Sequence, residues 1–163
     1  MSTVHERLYI EAPYTQAAGA LEQRLGLAPG SERGSCTLTL VAPAQEGREL
    51  ARVVTVATGR VAEPANYVSH YTLRWDSGHT PRGVPTPGFA GTLTLSAGQD
   101  YGECALDLEG QYDPPGGAAG KIFDEVVGRR IAHATLSALL DAVGQELQRE
   151  HAVIEAAKHT NGR

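Results

Sequence analysis

The feature that most constrains the fold is the passage from a strictly alternating stretch into a turn of prolines and glycines and then a long helical pattern. Within Gly102–Tyr112, apolar residues such as Leu106 and Leu108 occupy every second position. Such alternation predicts a strand with one buried and one solvated face, which is typical of an antiparallel sheet. Pro114 and Pro115 then end the strand, because proline has no amide hydrogen to donate to a neighbouring strand.

The chain after this turn carries a long apolar stripe at helical spacing. We expect a short helix at Ala118–Val127, a weak point at Gly128 and a longer helix beyond it. The stripe consists of Ala132, Leu136, Leu139, Leu140, Val143 and Leu147. A helix with a continuous apolar face must lie against another apolar surface, and a sheet with one buried face supplies it.

Further strand-like runs predict the rest of that sheet. They are Val4–Ala12, Ser35–Ala42, Arg48–Thr58, Asn66–Asp76 and Phe89–Ser96. A helical pattern follows the first run and places Tyr14, Ala17, Ala18, Leu21 and Leu25 on one face. Because the connections at Gly47, Gly59 and Gly98 are short enough for hairpins, we expect an α+β fold with one antiparallel sheet of about six strands.

Length and composition limit the classes of function. At 163 residues we expect one domain over residues 1–150, followed by a polar, frayed tail at residues 151–163. The net charge of −5 and the scattered basic residues argue against a nucleic-acid partner. The sequence has neither an apolar run of about 20 residues nor a secretory signal, so we expect no membrane span and a cytoplasmic location. Cys36 and Cys104 are expected to be buried free thiols, although the sequence alone leaves a disulfide open.

A family resemblance rests on two stretches, "IEAPYTQAAGALEQRLG" (Ile10–Gly26) and the segment Leu108–Glu150 that begins "LEGQYDPPGG". They are similar to the opening strand and helix, and to the closing strand, turn and long helix, of the START-like superfamily. This superfamily is also called SRPBCC or Bet v 1-like, and it includes polyketide cyclases and lipid-transfer proteins. The resemblance implies a helix-grip fold, in which a strongly curved antiparallel sheet wraps around the C-terminal helix and leaves a cavity between them. One departure is the run Ala18–Ala20, where the family often carries an aromatic residue.

Five aromatic residues have the alternation expected of the sheet's inner face. They are Tyr67, Tyr71, Trp75, Phe89 and Tyr112. One interpretation is that they line an apolar cavity and orient a ligand with their hydroxyl and indole groups. The other is that they fill the core, because aromatic side chains bury large areas.

Two polar residues of the long helix are further candidates for ligand binding. If the helix is continuous across Gly128, Arg129 shares a face with the apolar stripe, where a guanidinium can bind a carboxylate or enolate. The alternative is that Arg129 turns outward or pairs with an acidic side chain. His133, at the edge of the stripe, is either a general acid or base or a structural residue. The sequence has no nucleophile elbow, P-loop, zinc spacing or dinucleotide fingerprint, so we assign no catalytic residue, metal or cofactor.

Three hypotheses of function follow from these patterns and from the resemblance. The first is binding or transport of a hydrophobic small molecule between the sheet and the C-terminal helix. The second is an enzyme of the aromatase/cyclase type that acts on a polyketide-like or aromatic substrate, in which Arg129 stabilises an enolate and either a tyrosine or His133 moves protons. The third is a protein-interaction module that uses the exposed face of the sheet or the C-terminal helix. The oligomeric state stays open.

Overall fold

The computed structural model describes residues 2–43, 49–61, 66–76, 88–113 and 121–162, with the backbone alone at residues 2, 40–43, 49–52, 113 and 121–132. These residues form six strands and two helices. The elements are β1 (Ser2–Ile10), α1 (Tyr14–Arg24), β2 (Arg33–Pro43), β3 (Glu49–Arg60), β4 (Val68–Trp75), β5 (Gly88–Ala97), β6 (Cys104–Asp113) and α2 (Lys121–Thr160). All six strands begin and end within two residues of the predicted runs.

The strands form one antiparallel sheet in the order β1-β6-β5-β4-β3-β2. Strands β2 to β6 follow one another as a meander, and β1 pairs with β6, so that β1 and β2 are the two edges. The backbone of α2 lies close to both of these edge strands. A single helix can approach both edges of a six-stranded sheet only if the sheet curves around it. The α+β class, the curved antiparallel sheet and the long C-terminal helix are therefore confirmed.

Helix α2 packs its apolar stripe onto the inner face of the sheet. The buried members of the stripe are Leu136, Leu139, Leu140, Val143 and Leu147. Gly144 lets the helix approach β1, since a β-carbon at this position would lie 2.6 Å from Cδ2 of Leu8. The two helices also meet each other, with Nδ1 of His151 and Oε1 of Gln16 at 2.6 Å.

Helix α2 is one helix from Lys121 to Thr160, and Gly128, where the sequence predicts a weak point, lies within it without ending it. A glycine inside a helix costs only about 1 kcal/mol, which the packing of a long helix outweighs. Helix α2 also crosses residue 150 without a break, and the division of the chain at that position stays a prediction. None of the helices that the structure describes is long and apolar enough to cross a membrane.

Helix α1 ends in a motif that fixes it to the sheet. The amide of Gly26 donates to the carbonyl of Gln23, and the amide of Leu27 donates to that of Glu22, which is the Schellman arrangement. Gly26 has φ +71°, and a β-carbon there would lie 2.0 Å from the carbonyl oxygen of Ser35 on β2. Only glycine fits so close a crossing of two backbones.

The two cysteines are free, as the sequence predicts. Cys104 is buried at the start of β6, where its Sγ donates to the carbonyl of Ala12 at 3.2 Å. Burial raises the pKa of Cys104 to about 11 and also raises the pKa of Cys36.

Candidate ligand-binding site

Three of the predicted aromatic residues form one row across the inner face of the sheet. Trp75 lies directly opposite Phe89, and Phe89 lies directly opposite Tyr112, on three neighbouring strands. The rings of Trp75 and Phe89 stack with centroids 4.6 Å apart and an interplanar angle of 26°. All three side chains are buried. We call these three residues the aromatic row.

Two glycines beside the aromatic row make room for its central ring. Gly91 and Gly110 face each other two register positions along β5 and β6, which is the next pair on the same face of the sheet. A β-carbon at Gly91 would lie 2.6 Å from Cζ of Phe89, and one at Gly110 would lie 2.5 Å from the same atom. The ring of Phe89 therefore lies over bare backbone, and the sheet presents a flat aromatic surface at this point.

A second row crosses the sheet nearer its middle and combines polar and apolar residues. From β1 to β3 its members are Glu6, Leu108, Leu93, Tyr71 and Arg60. The two leucines are buried and occupy the centre of the row. The row thus has an apolar middle and polar groups toward both edges of the sheet.

The polar groups on the β3–β4 side are joined to α1. The hydroxyl of Tyr71 donates to Oε1 of Glu22 at 3.0 Å, and Nη2 of Arg60 lies 3.0 Å from Oε2 of the same carboxylate. Arg60 also donates from Nη1 to the carbonyl of Ser31 at 2.7 Å. Burial, the largest cause, raises the pKa of Tyr71, while a hydrogen bond with Ser69 acts in the opposite direction.

Ser69 also connects Tyr71 to the start of α1, because its Oγ is hydrogen-bonded to the hydroxyl of Tyr14. We call these five residues, Tyr14, Glu22, Arg60, Ser69 and Tyr71, the α1 network. Sequence reasoning identified only Tyr71 of this network as a site residue. The one available signal for the rest is that a buried tyrosine hydroxyl needs a partner, but it does not say which residue provides it.

The polar group on the β1 side is Glu6, which sequence reasoning also missed. Its parity matches that of Leu8 and Ile10, so the carboxylate faces the inside of the sheet. The side chain is 16% exposed, and Oε1 lies 2.6 Å from Nδ1 of His133 on α2. His133 itself is 64% exposed and lies at the rim rather than among the aromatic rings.

The structure does not bring the other predicted site residues to the aromatic row. Tyr67 lies in a turn before β4 with φ +60°, and this left-handed conformation breaks the alternation that places it inside. Its side chain is 60% exposed and meets the ring of Tyr14 edge to face, with centroids 5.7 Å apart. The inward orientation predicted for Tyr67 is wrong. Arg129 lies in α2, and its side chain falls outside the described residues.

The outer face of the sheet carries a shallow groove of ≈ 670 Å³. Small residues on β3, Ala57 and Gly59, form its floor, and Arg33 and Arg74 lie on either side. This groove lies on the other side of the sheet from the aromatic row. Within the described ranges, no group of three or more His, Cys, Asp or Glu side chains could hold a metal ion.

Comparison with known proteins gives similarity in structure but not in sequence. No protein-family model matches the chain, and no curated protein matches it. The structure is similar to TTHA0849 from Thermus thermophilus, with a TM-score of 0.50 and 15% identity over 90% of this chain and 97% of that one. It is also similar to the Zhui aromatase/cyclase from Streptomyces sp. R1128, with a TM-score of 0.44 and 16% identity over 91% of this chain and 90% of that one. The curved six-stranded sheet, the short helix after β1 and the C-terminal helix against the sheet give this chain the SRPBCC-type, START-like fold.

Proposed function

We propose that this chain binds a hydrophobic small molecule between the central strands of the sheet and α2. The observation that carries the proposal is the position of α2 relative to the strands. In the part of the chain that the structure describes, the α2 backbone lies close to the edge strands β1 and β2 but makes few such approaches to β3, β4 or β5. Among the described residues, side chains lie between the helix and these central strands, and a bound molecule can share that space with them.

The side chains over the central strands suit a flat or elongated apolar guest. The aromatic row offers ring faces, and Leu93 and Leu108 continue the apolar surface toward the middle of the sheet. Pockets for small molecules are typically lined by such residues, with a few polar groups that fix the orientation of the ligand. The ligand class that fits this surface is a lipid-like or polyketide-like molecule.

The aromatase/cyclase hypothesis stays a prediction from the sequence resemblance. Its support among the described side chains is limited to His133, which can move a proton and lies beside Glu6. If the chain is such an enzyme, His133→Ala abolishes turnover of a substrate without unfolding the protein. A variant that keeps full turnover removes His133 from the reaction.

Binding can be tested with the natural tryptophan, because Trp75 is the only one in the chain. Native mass spectrometry of freshly purified protein shows whether a small molecule is retained, and quenching of Trp75 emission by N-phenylnaphthylamine measures affinity for a lipophilic probe. Phe89→Ala should weaken the probe at least tenfold, since it removes a ring face that we assign to the site. Tyr101→Ala is the matched control, because Tyr101 is 97% exposed. A protein that retains nothing and binds no lipophilic probe contradicts the proposal.

A further inference from the structure

We propose that Glu6 is the polar anchor of the site and that its ligand is a hydrophobic molecule ending in a hydrogen-bond donor, either a hydroxyl or a protonated amine. This inference rests on the proposed function and adds the chemical class of the ligand. It starts from the position of a carboxylate on an apolar surface. On β1, Glu6 shares the inner face with Val4, Leu8 and Ile10, and its neighbour across the ladder is the buried Leu108.

Oε1 of Glu6 is a buried acceptor that His133 contacts without forming a hydrogen bond, and because the side chain of His133 is 64% exposed, its ring can turn aside for a ligand. Oε1 is buried, and it has no hydrogen bond to any residue whose side chain the structure describes. Nδ1 of His133 is near enough at 2.6 Å to form an ion pair, but the two groups lack the alignment of a hydrogen bond. A buried acceptor without a hydrogen bond is costly, so such groups mark places where a further partner binds.

The contrast with Glu22 shows how the surroundings of Glu6 differ from those of a carboxylate with satisfied hydrogen bonds. Glu22 also faces the interior side of the sheet, but its two oxygens are taken by the hydroxyl of Tyr71 and the guanidinium of Arg60. The protein therefore satisfies the carboxylate of Glu22 with hydrogen bonds and ion pairs, and holds that of Glu6 by a contact with an exposed histidine that a ligand can replace.

The spacing along the row indicates the shape of the ligand. Glu6 on β1 and Tyr71 on β4 are separated by β6 and β5, which contribute Leu108 and Leu93. Three strand spacings correspond to about 14 Å measured along the sheet. A molecule that donates to Glu6 and extends over the leucines is therefore elongated, with its polar group at one end.

The chemistry of the anchor separates ligands that share the same apolar part. A hydroxyl or an ammonium group can donate to Oε1, whereas a carboxylate would place a second negative charge beside Glu6. Hydrogen bonds to charged groups are the stronger ones, and removing such a bond from a dry site lowers affinity by roughly tenfold to a hundredfold. The headgroup of the ligand should therefore decide affinity at equal chain length.

The experiment compares decanol, decylamine and decanoate as competitors of N-phenylnaphthylamine, with the unchanged protein and with Glu6→Gln and Glu109→Gln. In the unchanged protein, decanol and decylamine should each bind at least tenfold more tightly than decanoate. Glu6→Gln should weaken the binding of decylamine about tenfold and bring the affinity for decanoate within about threefold of that for decanol. Glu109 is exposed on the outer face of β6, so Glu109→Gln should leave the ranking of the three compounds unchanged. The decanol and decylamine arms distinguish an alcohol from an amine as the preferred donor.

The outcomes separate this inference from the proposed function. Suppose that N-phenylnaphthylamine binds but decanoate has the same affinity as decanol, or that Glu6→Gln leaves the order of the three affinities unchanged. Glu6 is then not the anchor, while the proposed binding function stands. If the unchanged protein binds neither the probe nor any decyl compound, both proposals fall together. The ranking in the unchanged protein decides the inference even if Glu6→Gln does not fold, which circular dichroism would show.

Discussion

The α1 network and the aromatic row occupy the same face of the same sheet but are held by different forces. In the α1 network, each described polar group has a partner in a fixed direction, such as Tyr71 with Glu22 and Glu22 with Arg60. Thr58 adds to this region with a buried hydrogen bond of 2.8 Å to the carbonyl of Leu25. Hydrogen bonds weaken steeply when their angles change, so this region fits one arrangement of the chain.

At the centre of the aromatic row, Phe89 is held by contacts of its ring surface. The ring of Phe89, which stacks on that of Trp75, lies over the backbone of Gly91 and Gly110. A region of this kind can exchange one apolar neighbour for another at little cost. The α1 network thus fixes α1 to the sheet by directed contacts, while the aromatic row is the part of the inner face to which we assign the proposed ligand.

The largest effect should come from a change that breaks the attachment of α1. Gly26→Ala places a β-carbon 2.0 Å from the carbonyl oxygen of Ser35 and forces alanine into φ +71°. We expect a loss of at least about 3 kcal/mol in the free energy of unfolding, or no folded protein. Gly30→Ala is the matched control, since Gly30 has φ +78° but open space around it, and should cost about 1–2 kcal/mol. Equal losses in urea denaturation would show that the close crossing at Gly26 is unimportant.

The next effect tests the α1 network itself. Glu22→Ala leaves the hydroxyl of Tyr71 and the guanidinium of Arg60 without their shared partner, and we expect a loss of about 2–3 kcal/mol. Glu32→Ala, at an exposed position outside the network, should change stability by less than about 0.5 kcal/mol. If Glu22→Ala is as stable as Glu32→Ala in thermal and urea unfolding, the α1 network contributes nothing to stability and does not differ from the aromatic row in that respect.

A third change asks whether the space over the central strands can accept extra volume. Leu93→Phe enlarges a side chain in the middle row and should cost less than about 1 kcal/mol while weakening probe binding at least tenfold. Leu21→Phe enlarges a fully buried side chain of α1 and should cost about 1–3 kcal/mol, because tightly packed sites do not tolerate added atoms. The two free energies of unfolding, measured side by side, decide the matter. A penalty at Leu93 equal to that at Leu21 means that the central strands are as tightly filled as the core beneath α1.

Much of this architecture could be predicted from the sequence, because strands with one wet face alternate. The alternation in β4, β5 and β6 places Trp75, Phe89 and Tyr112 on the inner face. The same pattern misplaces Tyr67, because Tyr67 lies before β4 in a left-handed conformation, and the alternation of a strand does not extend to it. Glu6 follows the alternation of β1, but a charged residue on an apolar face is easily passed over when strands are identified by their hydrophobic positions.

The α1 network lay beyond the reach of sequence patterns for a different reason. Glu22 and Arg60 form an ion pair although they are 38 residues apart in the sequence. Each of them could have paired with several other residues of opposite charge. Periodicity predicts which face a residue occupies but not which residue lies opposite to it on another element. Only the register of β3 with β4 and the position of α1 bring these two side chains to Tyr71.

The last expected effect, which is the smallest at pH 9 and grows above it, concerns the dryness of the region beside α1, as reported by Cys104. Its pKa is raised from 9.0 to about 11 by burial, so the folded protein keeps the thiol proton where the unfolded chain loses it. The contribution to stability is therefore complete below pH 9 and is lost as the pH rises toward 11. At pH 9 the loss amounts to only a few tenths of a kcal/mol, and it grows above that pH. The free energy of unfolding of Cys104→Ala should fall less steeply than that of the unchanged protein between pH 9 and 11. Parallel curves would mean that water reaches the thiol in the folded protein, and the region beside α1 would then be no drier than the rest of the inner face.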